Sequence, residues 1–228
     1  MRKKAPEIYN FLKLPGEITN ITRIEETVAV ILHDTFFLTA PFDTDRGVGG
    51  LFHTQFTHKH PISSICKVKM KSSFSQTIFS GPGSYDPSNS IETFWLFVDE
   101  LNTFSLFSLR MKCILLSFDG KSITHNTITS ICGLNDGCFA AMEANHVYVC
   151  RITNQGCETI FCYDIASTMI KSFNEGFLAL RNEHIDYCVN GKIYTYFDSE
   201  MINDFFIMNS RQTVVVQILG KNCIFHIV

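Results

Sequence analysis

Three histidines and a cysteine gather in one short stretch of the chain: His53, His58, His60 and Cys66. Side chains alternate along an extended strand, so His58 and His60 share a face. Two imidazoles on one face with a thiolate nearby are donors that zinc accepts. The spacing fits no structural zinc site, however, and no fourth ligand is evident. The stretch therefore reads as a solvated, His-rich strand end, with no metal expected. It also carries charge. No Asp or Glu occurs from Gly47 to Tyr85, yet Lys59, Lys67, Lys69 and Lys71 all do. Lys67, Lys69 and Lys71 alternate, which puts three ammonium groups on one strand face. Together with His58, Lys59, His60 and Tyr85 they make up the candidate interaction patch. Such a patch suits an acidic protein segment or a phosphate backbone. The structural alternative, lysines that discourage pairing at an exposed strand edge, carries more weight. Exposed aromatics between the lysines would favour nucleic acid, but Phe74 and Phe79 read as easily as core residues.

Catalytic constellations are missing from the sequence. It has no Gly-x-Ser-x-Gly elbow and no Gly-rich phosphate loop followed by Lys. Glycoside hydrolysis needs paired carboxylates. Asp34, Asp43, Asp119, Asp164 and Asp198 instead fall at turn positions, where Asp usually serves backbone geometry. The expectation is a protein with no catalytic residue, no cofactor and no evident small-molecule substrate.

The elements that position these residues follow from composition. Of 228 residues, 46% are hydrophobic and only 18% charged, so a sizeable core can form. Phe occurs 21 times and Trp once; aromatic and β-branched enrichment favours strands. A net charge of -3 is too small to mark a general nucleic-acid or membrane binder. Nine scattered cysteines, odd in number and without a Cys-x-x-Cys, sit in apolar runs. That points to buried free thiols and a reducing compartment, cytoplasm or nucleus. Arg2, Lys3 and Lys4 are followed by no apolar signal region. No apolar run approaches the roughly 20 residues of a membrane helix.

Short apolar runs bounded by Gly, Asn, Asp or Ser recur along the chain, among them Val28–Leu32, Thr93–Val98 and Thr213–Ile218. Many short strands with turns between them read as a sandwich, barrel or propeller. A repeat decides among these. Asn135-Asp136-Gly137 and Asn174-Glu175-Gly176 stand about 39 residues apart, a period typical of stacked repeat units. His146–Cys150 matches His184–Cys188, and the recurring histidine is expected to bond from blade to blade. Aromatic-Asp pairs close three successive units: Phe118-Asp119, Tyr163-Asp164 and Phe197-Asp198. The aromatic is expected to pack between blades and the Asp to accept hydrogen bonds in the next turn.

Read outward, the repeat predicts a single all-β domain over 1–228, a β-propeller of about five (four to six) four-stranded antiparallel blades. They span about 18–58, 62–119 with an insertion at 80–92, 127–164, 167–198 and 201–228. The last has three strands, and an N-terminal strand at 8–14 is expected to complete it, which would remove two open edges. The segments Phe94–Leu109, Lys112–Phe118 and Ile128–Ile131 look like the second to fourth strands of one blade running into the next. In this the chain resembles the WD40-type β-propellers, although it has no Trp-Asp dipeptide and no Gly-His pair. The resemblance implies a non-enzymatic scaffold that binds other proteins, a subunit of a larger complex. RNA or ribonucleoprotein binding through 53–71 is the first alternative and a five-bladed glycan-active enzyme or lectin the second. Since the recurring residues are those a blade needs for itself, function is expected where the repeat breaks down, in about 43–92.

Overall fold

The computed structural model describes the backbone of residues 18–24, 27–32, 35–38, 42–43, 47–48, 53–71, 74, 91–108, 110–111, 113–181, 183–198, 202–208, 213–218 and 221–226. Side chains are described within 58–71, 74, 91–108, 110–111, 113–181, 183–196, 202–207 and 214–217. The expected strand 8–14, Tyr85 and the insertion up to residue 90 lie outside these residues. The chain divides into two compact units, Met1–Ile62 and Ser63–Val228.

The first unit holds β1 (Ile18–Ile24), β2 (Thr27–Leu32), β3 (Thr35–Leu38), β4 (Phe42–Asp43), β5 (Gly47–Val48) and β6 (His53–Thr57). Strands β1-β2-β3-β6 form an antiparallel sheet. Between β3 and β6 the chain makes a small extra hairpin, β4-β5.

The second unit is a series of sheets that each follow the chain. β7 (Ile62–Lys71), β8 (Ile91–Asp99), β9 (Thr103–Ser108) and β10 (Cys113–Asp119) make one sheet in sequence order. β11 (Ser130–Gly133), β12 (Cys138–Met142), β13 (His146–Thr153) and β14 (Gly156–Asp164) make the next. β15 (Met169–Phe173), β16 (Gly176–Arg181), β17 (His184–Val189) and β18 (Lys192–Asp198) follow. Last come three strands, β19 (Ile202–Met208), β20 (Thr213–Ile218) and β21 (Lys221–His226). The expectation of four-stranded antiparallel blades is borne out.

Turn chemistry makes these meanders tight. Asp136-Gly137 and Asn190-Gly191 both have positive φ, 54° and 74° in the first pair and 51° and 75° in the second. Two such residues in succession twist in the sense of the flanking strands, and Asn, Asp and Gly tolerate the conformation best. The repeat in sequence is not a repeat in geometry here. Gly137 lies inside its turn, whereas Gly176 already opens β16 and the positive φ falls on Asn174, at 49°. The second turn is shorter, so the same three residue types serve two different loops.

The core lies between successive sheets. Val68 and Met70 of β7, with Phe94, Leu96, Val98 and Phe104, pack against Ile131, Phe139 and Cys150 of the following sheet. Val147, Val149 and Tyr163 meet Phe177, Ala179 and Cys188 in the next layer. Phe173, Leu178 and Ile185 meet Phe205, Val214 and Val216 in the last. Side chains of this size each contribute about 1.5–3 kcal/mol when fully buried. Neighbouring sheets touch first strand to first strand, β11 against β15, and fourth to fourth, β10 against β14. No helix among the described residues is long and apolar enough to cross a membrane.

Candidate functional site

A cleft of about 490 Å³ opens between the β11–β14 and β15–β18 sheets. Its position follows from how those sheets are joined. Tyr163, near the end of β14, packs edge-on against Phe177 with ring centroids 5.4 Å apart. Its hydroxyl accepts the backbone N–H of Gly191 at 2.9 Å. Phe161 lies flat enough on the same turn that a Cβ on Gly191 would stand 3.2 Å from its ring. Phe118 meets the turn at Gly156 in the same way, with a Cβ there 3.4 Å from its own. Phe118 and Tyr163, closing two of the fourth strands, thus each seat a tight turn of the next sheet, as the aromatic-Asp repeat led us to expect; the Phe197 and Asp198 side chains lie outside the described residues. Asp119 also fulfils its expected part: its Oδ1 accepts the N–H of Lys121 at 2.9 Å.

Above that seam the cleft has an apolar wall and an acidic rim. Val149, Ile160, Phe161, Phe177 and Val189 line it, with Cys138 and Cys188. Asp136 and Glu175, both exposed, reach its edge from the two turns described above. Asn135 and Asn190 add two amides. Arg151 is in the lining too, and its guanidinium lies 3.5 Å from Glu158. Burial pushes the Cys138 thiol up, against a hydrogen bond with Arg151. Burial likewise pushes Cys188 to about 12, so the sulfurs here are neutral at physiological pH. Sequence reasoning did not find this site. Its two acids sit in segments that read as ordinary blade turns, and only folding brings Asp136 and Glu175 to one cleft.

The buried carboxylates Glu143, Asp99 and Asp186 are engaged elsewhere. Glu143 is almost wholly buried and accepts from the Thr124 hydroxyl at 3.1 Å and from His146 Nδ1 at 2.5 Å. Burial pushes its carboxyl up, but hydrogen bonds from His146, Asn126 and Thr124 outweigh this, and the net value falls below the ordinary 4.5. Asp99, also buried, accepts the N–H groups of Leu101 at 3.0 Å and Thr103 at 2.8 Å. Asp186 accepts from Thr195 at 2.7 Å and lies 3.3 Å from Arg181 Nε. Lys171 of β15 reaches the following sheet, 3.2 Å from the Asp204 carboxylate and bonded to the Phe205 carbonyl. One expectation is corrected: His146 bonds within its own blade, to Glu143, and its Nε2 lies 3.8 Å from Asp164 of the same sheet. The acid follows the second strand here, three residues before the histidine, so the short turn satisfies the imidazole locally.

The predicted patch is only partly brought together. Lys67, Lys69 and Lys71 do share one face of β7, the first half-buried and the other two exposed. The opposite face, Cys66, Val68 and Met70, is buried. Strand β7 is also the end strand of its sheet. Lys59 is exposed, while His58 and His60 are half-buried. Phe74 packs edge-on against Phe94 with centroids 6.4 Å apart, a core role. Cys66 joins the hydrophobic cluster, and burial raises its thiol well above the ordinary value. Among the described residues no group of three or more His, Cys, Asp or Glu side chains is arranged to hold a metal.

A second surface is apolar. Tyr194 and Tyr196 share one face of β18 and are 45% and 43% exposed; Ile193, on the other face, is 44% exposed. Tyr194 and Tyr196 pack on Tyr187, with centroids 6.5 and 5.9 Å apart. Tyr187 in turn meets Phe173, in the core shared with the last sheet.

No protein family's sequence model matches the chain, and no curated protein matches it in sequence. Solved structures do match in fold. The β-propeller domain of Myceliophteria thermophila Cps50 (Swd1) aligns at 14% identity and TM-score 0.61, over 92% of this chain and 65% of that one. BBS1N, solved in complex with ARL6DN, aligns at 8% identity and TM-score 0.59, over 89% and 62%. The WD40 β-propeller domain of Doa1 aligns at 12% identity and TM-score 0.54, over 91% and 68%. The chain spans under two thirds of the length of the first two. The chain shares the β-propeller fold of these domains, as the stretch from Phe94 to Ile131 led us to expect.

Proposed function

We propose that the protein is a non-enzymatic scaffold that binds other proteins and works as a subunit of a larger complex. The observation that carries this is the contrast between its buried acids and its surface. Asp99, Glu143 and Asp186 are spent on turns and strand contacts, whereas Tyr194 and Tyr196 share an exposed strand face. Aromatics with a polar tip are the side chains that interfaces favour. BBS1N, one of the similar folds, was solved bound to another protein. Eight cysteines are free among the described residues, which fits a reducing compartment inside the cell. The same reading keeps 1–228 as one domain with 8–14 completing the last sheet.

The test is native purification of the full chain and of its Tyr194→Glu/Tyr196→Glu variant. A defined set of proteins should accompany the first and be lost, in whole or part, from the second. A monomer with no companions would overturn the reading.

A second reading, RNA binding, rests on Lys67, Lys69 and Lys71 sharing one face. Reversing all three charges should then abolish a salt-sensitive RNA affinity. Unchanged affinity would end it.

A further inference from the structure

We propose that the cleft between the β11–β14 and β15–β18 sheets takes a peptide segment bearing a large apolar side chain flanked by lysine or arginine. This rests on the scaffold reading and names the chemistry of one of its partners. The volume, about 490 Å³, lies within the roughly 300–1,000 Å³ typical of ligand pockets. Ile160, Phe161 and Val189, each half-buried, offer an apolar anchor its contact surface, backed by the buried Val149 and Phe177. The cleft's floor does not depend on the ligand, because Tyr163 ties the two sheets together through Phe177 and Gly191. The wall is therefore preformed, which limits the ordering cost of binding.

Charge decides the class of ligand. Asp136 and Glu175 stand at the rim, and the one arginine of the lining, Arg151, is paired with Glu158. These four residues sum to two net negative charges, three acids against one base. A phosphate or a carboxylate-rich segment would be repelled, while a lysine or arginine beside the anchor meets complementary potential. The amides of Asn135 and Asn190 carry both donors and acceptors, as a peptide backbone requires. The tight turns fix both acids in place, with positive φ at Asp136, Gly137 and Asn174.

The experiment selects binders from a random dodecapeptide display library on the immobilised full chain, then titrates the selected peptides by fluorescence anisotropy. Selected sequences should share an apolar residue with Lys or Arg close by. Their affinity should fall at least about tenfold in an Asp136→Asn/Glu175→Gln variant, and should weaken with salt. Both residues are exposed, and an unchanged thermal midpoint will show that the variant is folded; Val189→Arg, which fills the cleft, is the second variant. No selected binders, binders without basic residues, or equal affinity for all three proteins would overturn the proposal. Such a result leaves the scaffold reading standing if companion proteins still co-purify with the wild-type chain. Loss of those companions from the wild-type chain is the separate failure of that reading.

Discussion

Gly133 lies so close to the backbone of Lys67 that a Cβ on it would stand 1.6 Å from the Lys67 carbonyl oxygen. This is one of several joints between β7 and the sheet that follows. Nearby, the Ser64 hydroxyl accepts the N–H of Ile131 at 3.0 Å, and the Lys69 carbonyl accepts the N–H of Gly137 at 2.8 Å. A methyl group has nowhere to go, because the obstacle is main chain. Gly133→Ala should cost about 3 kcal/mol or more, the upper end of overpacking. Ala144→Ser, an exposed control, should stay within about 0.5 kcal/mol. Urea midpoints of the two variants will decide; a Gly133→Ala protein as stable as the control would show that β7 and β11 are not held this tightly.

Glu143 predicts a dependence on pH. Its folded value lies below the ordinary 4.5. The unfolded chain therefore binds the proton more readily, and stability from the ionised group is complete above the ordinary carboxylate range. It is lost as pH falls through the depressed folded value. Glu143→Gln should cost about 1.5–3 kcal/mol at pH 7, as for hydrogen bonds to a charged group. The gap between wild type and variant should narrow as pH falls below the ordinary value. A gap that is constant across an acid series of denaturant titrations would exclude this origin.

Cys157 should react ahead of Cys132 and Cys150. The Cys150 thiol donates to it and holds its value below the ordinary 9.0, with Ser122 at 3.8 Å adding to the effect. Burial pushes Cys132 to about 12. The same hydrogen bond, with burial, raises Cys150. Thiolate fraction governs alkylation, so brief iodoacetamide treatment followed by peptide mass spectrometry should show Cys157 modified ahead of Cys132 and Cys150. Cys150→Ala should slow Cys157. If Cys157 keeps its rate in that variant, its activation does not come from Cys150.

Tyr163 separates packing from hydrogen bonding at the seam. Tyr163→Phe keeps the edge contact with Phe177 and loses only the bond from Gly191, about 0.5–1.5 kcal/mol. Tyr163→Ala removes the ring as well and should cost about 3–5 kcal/mol. Equal losses in chemical denaturation would mean that the hydroxyl alone joins the sheets.

The fold was legible because its signals are local. Alternating apolar runs and turn residues define each strand, and the spacing of Phe118-Asp119 and Tyr163-Asp164 follows from the seam those aromatics make. The sites were less legible. The lysine face of β7 was visible, since period-two alternation is a property of one strand. The cleft was not, because Asp136, Arg151 and Glu175 come together only when two sheets pack, and no periodicity within either reveals it. His146 misled for a related reason: its repetition suggested a bond between blades, but the partner, Glu143, lay three residues away.

Nearly every described strand pairs with its neighbour in sequence; β3 with β6, across the β4-β5 hairpin, is the exception. Loop closure of this kind is short-range, so each sheet can form soon after its own strands leave the ribosome, before the next is made. The join between β7 and β8 spans the longest link within a sheet and should be the slow step. Thermodynamically the same link is forgiving: doubling its length adds only about 0.6 kcal/mol of closure entropy. The position between Phe74 and Ile91 is therefore where this architecture can accept a foreign domain, or be shortened, at least expense to the rest.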